Sequence, residues 1–138
     1  IAVFSHVVGE FSLVPGGGPR RVYFGNSGTE AIEASLKMAR YHTGRERFIA
    51  FLGAFHGRTM GSLSLTGSKS VQKQGFGSLL PGVAHIPYAN CYRCSYGQQV
   101  ETCQVECVKV IEDQLIRHIL PADDIAGIIV EPVQGEGG

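Results

Sequence analysis

Charge of either sign is not in excess in this sequence: 12 Lys and Arg stand against 12 Asp and Glu over 138 residues. A surface for nucleic acid or for an anionic membrane needs a basic surplus or patch, so its absence leaves small molecules as the expected partners. No apolar run approaches the roughly 18 residues of a membrane span, and no basic-then-apolar leader opens the chain, although Ile1 reads as an internal start. A soluble, cytoplasmic protein is the expectation. There is no internal repeat, and the 19 glycines punctuate segment ends rather than forming a low-complexity tract. The length suits one domain with its own core.

What is present is an alternation of strands and helices. Apolar residues predict strands at about 22–25, 47–52 ("RFIAFL"), 83–86 ("VAHI") and 125–131 ("IAGIIVE"), the last apolar on both faces like a strand covered by helices. Between them, Ile32, Leu36 and Ala39 keep helical spacing over about 28–42, and a short helix is expected near 59–65. Val100, Cys103, Cys107, Val108, Ile111, Leu115 and Ile119 suggest a longer helix over about 99–119. The fold class is therefore α/β.

Three corners follow strand ends, where ligands collect in such sheets. In "YFGNSGTEAIEASLKMAR", Ser27 is the expected N-cap and Glu30 completes a capping box. The first-turn N–H groups of Gly28 and Thr29 have no intrahelical acceptor, so they suit a phosphate, or else the helix is simply capped and holds nothing. Glu30 is compatible with an anion only if its carboxylate turns back toward Ser27. In "GAFHGRT", Phe55 can lie on a planar ligand or belong to the core, and Arg58 can grip a carboxylate in two-point contact or clamp loop carbonyls. His56 stacks, donates or fills space. "VEPVQGEGG" places Glu131 at a strand terminus, where a carboxylate needs a cation or a donor, and Glu136 in a Gly-rich loop. The other histidines, His6, His42, His85 and His118, lack ligand spacing and read as surface or packing residues.

The motifs "FGNSGTEAIEASLKMAR", "FLGAFHGRTMGSLSLTGSK" and "IIVEPVQGEGG", in this order and spacing, resemble the class III pyridoxal-phosphate aminotransferases, the branch of the 4-aminobutyrate, ornithine and acetylornithine enzymes. The resemblance implies that residues 1–138 are a fragment of a fold-type-I large domain, with a mostly parallel sheet flanked by helices and a Cys-bearing insert at about 90–107. It implies a cofactor, pyridoxal 5′-phosphate, held by Ser27, Gly28 and Thr29 at its phosphate and by Phe55, His56 and Glu131 around its ring. Arg58 would bind a substrate carboxylate, and Glu136 would pair with a mobile arginine elsewhere in the chain. The reaction implied is ping-pong transfer of an amino group from an omega-amino acid, with 4-aminobutyrate the nearest type, to a 2-oxo acid such as 2-oxoglutarate, in a homodimer. The Schiff-base lysine lies beyond Gly138 in relatives; Lys37, Lys69, Lys73 and Lys109 do not occupy its position, so the chain alone is expected to be inert.

Cys91, Cys94, Cys103 and Cys107 leave three states open: buried free thiols, disulfides, or four ligands of a structural zinc. A zinc-stapled module is one alternative to the enzyme reading. A phosphate-ligand-binding protein without chemistry is the other.

Overall fold

In the computed structural model, residues 23–137 are described; His6 and the first residue of the strand expected at 22–25 lie outside them. The element order is α1 (Gly28–Thr43), β1 (Arg47–Leu52), α2 (Met60–Leu65), β2 (Val83–Pro87), α3 (Glu106–Val110, continuing through a π-helical stretch at Ile111–Ile116) and β3 (Ile125–Ile128). Short 3-10 turns occupy Ser70–Gln72 and Ala122–Asp124.

The sheet is parallel, in the order β2-β1-β3, so β1 is central. Side chains alternate between the faces of a strand, and the buried residues of β1 divide accordingly. Phe48 and Ala50 pack with Leu36 of α1 and Leu65 of α2, while Ile49 packs with Ile86, Leu115 and Leu120 on the other face. Helices thus cover both faces, as a parallel sheet requires. Among the described residues no helix is long and apolar enough to cross a membrane.

Three expectations about elements need correction. Residues 23–25 carry no strand; Tyr23 and Phe24 are mostly exposed, with no ladder partner among the described residues. β3 ends at Ile128 instead of 131, and Ile128 and Val130 are half-exposed, because this strand pairs on one side only among the described residues. The third helix begins at Glu106, since Val105 adopts a left-handed conformation (φ 63°) that interrupts helical continuity. Cys103 therefore precedes the helix that carries Cys107.

Candidate functional site

Ser27 takes an extended backbone conformation (φ −152°, ψ 160°) and its hydroxyl accepts the Glu30 N–H at 3.4 Å. Glu30 folds back as the anion reading requires, but its carboxylate accepts the Asn26 N–H at 2.6 Å instead of capping Ser27. The start of α1 is thereby left with the N–H groups of Gly28 and Thr29. A side chain built at Gly28 would stand in open space.

Opposite this helix end, the loop after β1 closes a cavity of about 440 Å³ lined by Ser27, Gly28, Thr29, Phe55, His56, Gly57, Arg58 and Thr59. A larger cavity, of about 750 Å³, lies beside Arg40, Arg45 and Arg47, but those guanidiniums are already engaged by the Glu46 carbonyl, Asp123 and Asp124 respectively. The smaller cavity is the one that gathers the residues singled out in the sequence.

His56 is buried (7 % exposed), and its Nε2 has no hydrogen-bond partner among the described residues. A buried polar atom without a partner is costly, and this nitrogen is the one such side-chain atom among the described residues. Burial lowers the His56 pKa, opposed by the nearby Glu131 carboxylate, and burial likewise lowers that of His85. A lowered histidine favours the neutral ring in the native state, whereas the unfolded chain takes up protons near the ordinary value of 6.5. Stability should therefore be complete above that value and decline as pH falls below it toward the native value. Urea midpoints measured on both sides of this window should differ for the parent and differ less for His56→Asn, with His85 supplying the remainder; an unchanged pH slope in the variant would contradict this assignment.

Glu131 accepts N–H groups from Phe55 (3.3 Å) and Gly135 (3.3 Å), one on each carboxylate oxygen, and the Tyr88 hydroxyl bonds its backbone. The acid leaving β3 is thus satisfied by donors, and it ties the Phe55 loop to the end of the sheet. Arg58 is exposed at the cavity wall. Glu136 is not among the lining residues: it pairs with Lys69 at 3.2 Å and accepts from Gln72, and the Lys69 contact holds its pKa below the usual carboxylate range. None of the four lysines lines the cavity.

Sequence reading missed a second layer. Thr29 Oγ1 lies 2.9 Å from Thr59 Oγ1 and 2.6 Å from Ser62 Oγ, and Glu33 accepts both the Thr59 hydroxyl and, at 3.0 Å, the Ser62 N–H. The available signal was the pair of glycines, Gly57 and Gly61, flanking these hydroxyls. A Cβ on Gly61 would run into the Glu33 carboxylate.

The model of the family described as Aminotransferase class-III matches residues 4–138. The chain belongs to the class-III aminotransferase family. It is 38 % identical to the isoleucine 2-epimerase of Lentilactobacillus buchneri, over 99 % of this chain and 32 % of that protein. It is 40 % identical to the acetylornithine aminotransferase of Listeria innocua, over 91 % of this chain and 27 % of that one. The chain thus spans about a third or less of these curated relatives' length. Among solved structures it resembles a pyridoxal-phosphate-bound amine transaminase from an uncultivated Pseudomonas species, with TM-score 0.76 and 28 % identity over 99 % of this chain and 37 % of that one. The α/β fold is accordingly that of the fold-type-I transaminases. In this class-III chain, pyridoxal phosphate fits two features of the cavity: an open helix N-terminus at Gly28 and the aromatic rings of Phe55 and His56 along its lining.

The zinc expectation is not supported. Cys91, Cys94, Cys103 and Cys107 are free thiols around one small cavity, yet among the described residues no three His, Cys, Asp or Glu side chains converge to hold a metal. The disulfide reading is set aside with it. With Cys103 ahead of the helix, its thiol donates to Glu106 (3.2 Å) rather than sharing a helical face with Cys107. Nor are the thiols fully buried, since Cys91 is exposed.

Proposed function

We propose that this chain forms the phosphate- and ring-binding part of the pyridoxal-phosphate site of an enzyme that transfers an amino group from an amino acid to a 2-oxo acid. The observation that carries the reading is the cavity in which the α1 N-terminus meets Phe55, His56 and Arg58. When bound, pyridoxal phosphate supplies the electron sink for the charge left on a substrate's α-carbon. The chain's own residues bind and orient. Gly28 and Thr29 offer N–H groups and the helix dipole to a dianion, Ser27 caps the same turn, and Phe55 offers a ring face. Neutral His56 offers one nitrogen without adding charge, and Arg58 offers a fork for a substrate carboxylate. Glu131 holds the Phe55 loop in place. Glu136, engaged by Lys69, is the acid that a rearranging arginine would have to win from that lysine.

An omega-amino donor of the 4-aminobutyrate type, a homodimeric assembly and a cytoplasmic setting accompany this reading from the motif likeness. A second reading, inversion at the α-carbon of an amino acid, is favoured by the 38 % identity to an isoleucine 2-epimerase across nearly the whole chain. Both readings use the same cofactor site.

Equilibrium dialysis of the chain against pyridoxal 5′-phosphate and against pyridoxal tests the site. Because charge-assisted hydrogen bonds contribute about 1.5–3 kcal/mol, the phosphorylated form should bind at least roughly tenfold tighter. Borohydride treatment should leave no stoichiometric label on Lys37, Lys69, Lys73 or Lys109. Equal binding of the two probes would overturn the assignment.

A further inference from the structure

We infer that Glu33 is a positioning residue that sets the width of the phosphate end of this cavity, an inference that rests on the cofactor reading above. The cavity has two walls from separate elements: the first turn of α1 and the loop from Phe55 to Thr59 that leads into α2. Sequence places them about thirty residues apart, so something must fix the gap. Thr29 and Glu33, four residues apart and hence on one face of α1, both reach across. Thr29 Oγ1, Thr59 Oγ1 and Ser62 Oγ form a closed triangle, with Thr59 and Ser62 themselves 2.9 Å apart. Hydroxyls alone hold such a triangle loosely, because each rotates and any of the three can donate.

Glu33 removes that freedom. An ionised carboxylate only accepts, so the Thr59 proton is committed to it, and the Ser62 N–H anchors the same oxygen at 3.0 Å. That N–H belongs to the first turn of α2, whose N-cap residue, Thr59, makes no side-chain cap of its own. Glu33 thus caps α2 from a neighbouring helix and pins the cavity's far wall to α1. The packing agrees: Gly61 leaves space that the carboxylate fills, its Cδ standing 2.8 Å from where a Cβ would be, and Gly57 does the same for Thr29 and Ser62. The gap opens on the same cavity that Phe55, His56 and Arg58 line.

The test reads discrimination, not activity: the ratio of dissociation constants for pyridoxal and pyridoxal 5′-phosphate, by equilibrium dialysis, with thermal melting to report folding. Glu33→Gln keeps the accepting oxygen, so its ratio should stay within about threefold of the parent. Glu33→Met removes the acceptor and should lower the ratio by about tenfold or more, chiefly through weaker phosphate-ester binding. If Glu33→Met does not fold, Thr59→Val decides in the same sense, since it removes the hydroxyl that Glu33 holds. The inference is overturned by a Glu33→Met or Thr59→Val protein that discriminates like the parent. It is equally overturned if Glu33→Gln loses as much as Glu33→Met, or if all variants lose affinity for both probes alike. A parent that does not discriminate at all overturns the cofactor reading, and this inference with it, and that result is distinguishable because it appears before any substitution is made.

Discussion

Replacing Phe48 by alanine is expected to remove about 3–5 kcal/mol of folding stability, the range for emptying a buried aromatic site. Phe48 is 0 % exposed on the central strand, among Leu36, Ala50 and Leu65, and the Arg40 guanidinium lies 5.6 Å from its ring centroid. Gly127 of β3 passes close by, where even a Cβ would come within 3.6 Å of the ring. One side chain therefore joins α1, α2 and both strands of the β1–β3 pair, and the surrounding backbone cannot collapse into the gap without breaking a ladder. Leu52, four residues along β1 and 51 % exposed, is the control, and its alanine variant should change stability by about 0.5 kcal/mol or less. The chain has no tryptophan, so urea unfolding is best followed by far-ultraviolet circular dichroism. Equal losses at the two positions would contradict the placement of β1 at the centre of the sheet.

That centre was readable from residue order. "RFIAFL" has apolar residues for both faces, and the run from Ser27 to Arg40 carries its cap, its stripe and its charges in register, so local and tertiary preferences agree. Where the reading failed, the cause was a pattern that continued past its structure. Val100 and Cys103 keep the helical period of α3, yet the backbone turns at Val105 without a glycine or proline to announce it. The apolar run at the end of the chain reads as a strand to Glu131, but a ladder needs a partner, and beyond Ile128 the described residues supply only the Ile129 N–H bond to the Ile49 carbonyl. Periodicity reports which residues seek burial; it does not report where pairing stops.

The site was legible in its first layer because its residues sit at a helix start or in the loop between a strand end and the next helix. Ser27, Gly28, Thr29, Phe55, His56 and Arg58 do meet at one cavity, although they come from two separated segments. The supporting layer was hidden by its chemistry. Glu33 reads as one more charged residue on the outer side of an amphipathic helix, and Thr59 and Ser62 read as ordinary helix-start residues. Only the three-dimensional closeness of Gly57 and Gly61 to these groups reveals their work. Glu136 was legible only as a carboxylate in a Gly-rich loop, since Lys69, which pairs with it, is distant in sequence.

The same closeness makes Gly57→Ala the second large effect. Gly57 has φ +130°, a region that residues with a Cβ enter at a cost of about 1–3 kcal/mol. The added methyl would also overlap Thr29 Oγ1 and stand 2.6 Å from Ser62 Oγ and 2.8 Å from Thr29 Cβ. Overpacking of this kind adds about 1–3 kcal/mol. Neither neighbour can yield freely, since Thr29 is held in the first turn of α1 and Ser62 by Glu33, so the loop must move away from the helix. Stability and pyridoxal-phosphate binding should therefore fall together. Gly28→Ala separates the two effects: its Cβ meets nothing, so stability should hold within about 0.5 kcal/mol, while the methyl occupies the space where an anion would approach the backbone. Adding Ser62→Ala to Gly57→Ala should restore part of the stability, by relieving the hydroxyl contact but not the backbone strain. If Gly57→Ala melts at the parent temperature and binds the cofactor normally, the loop is not clamped to α1 as the hydrogen bonds require.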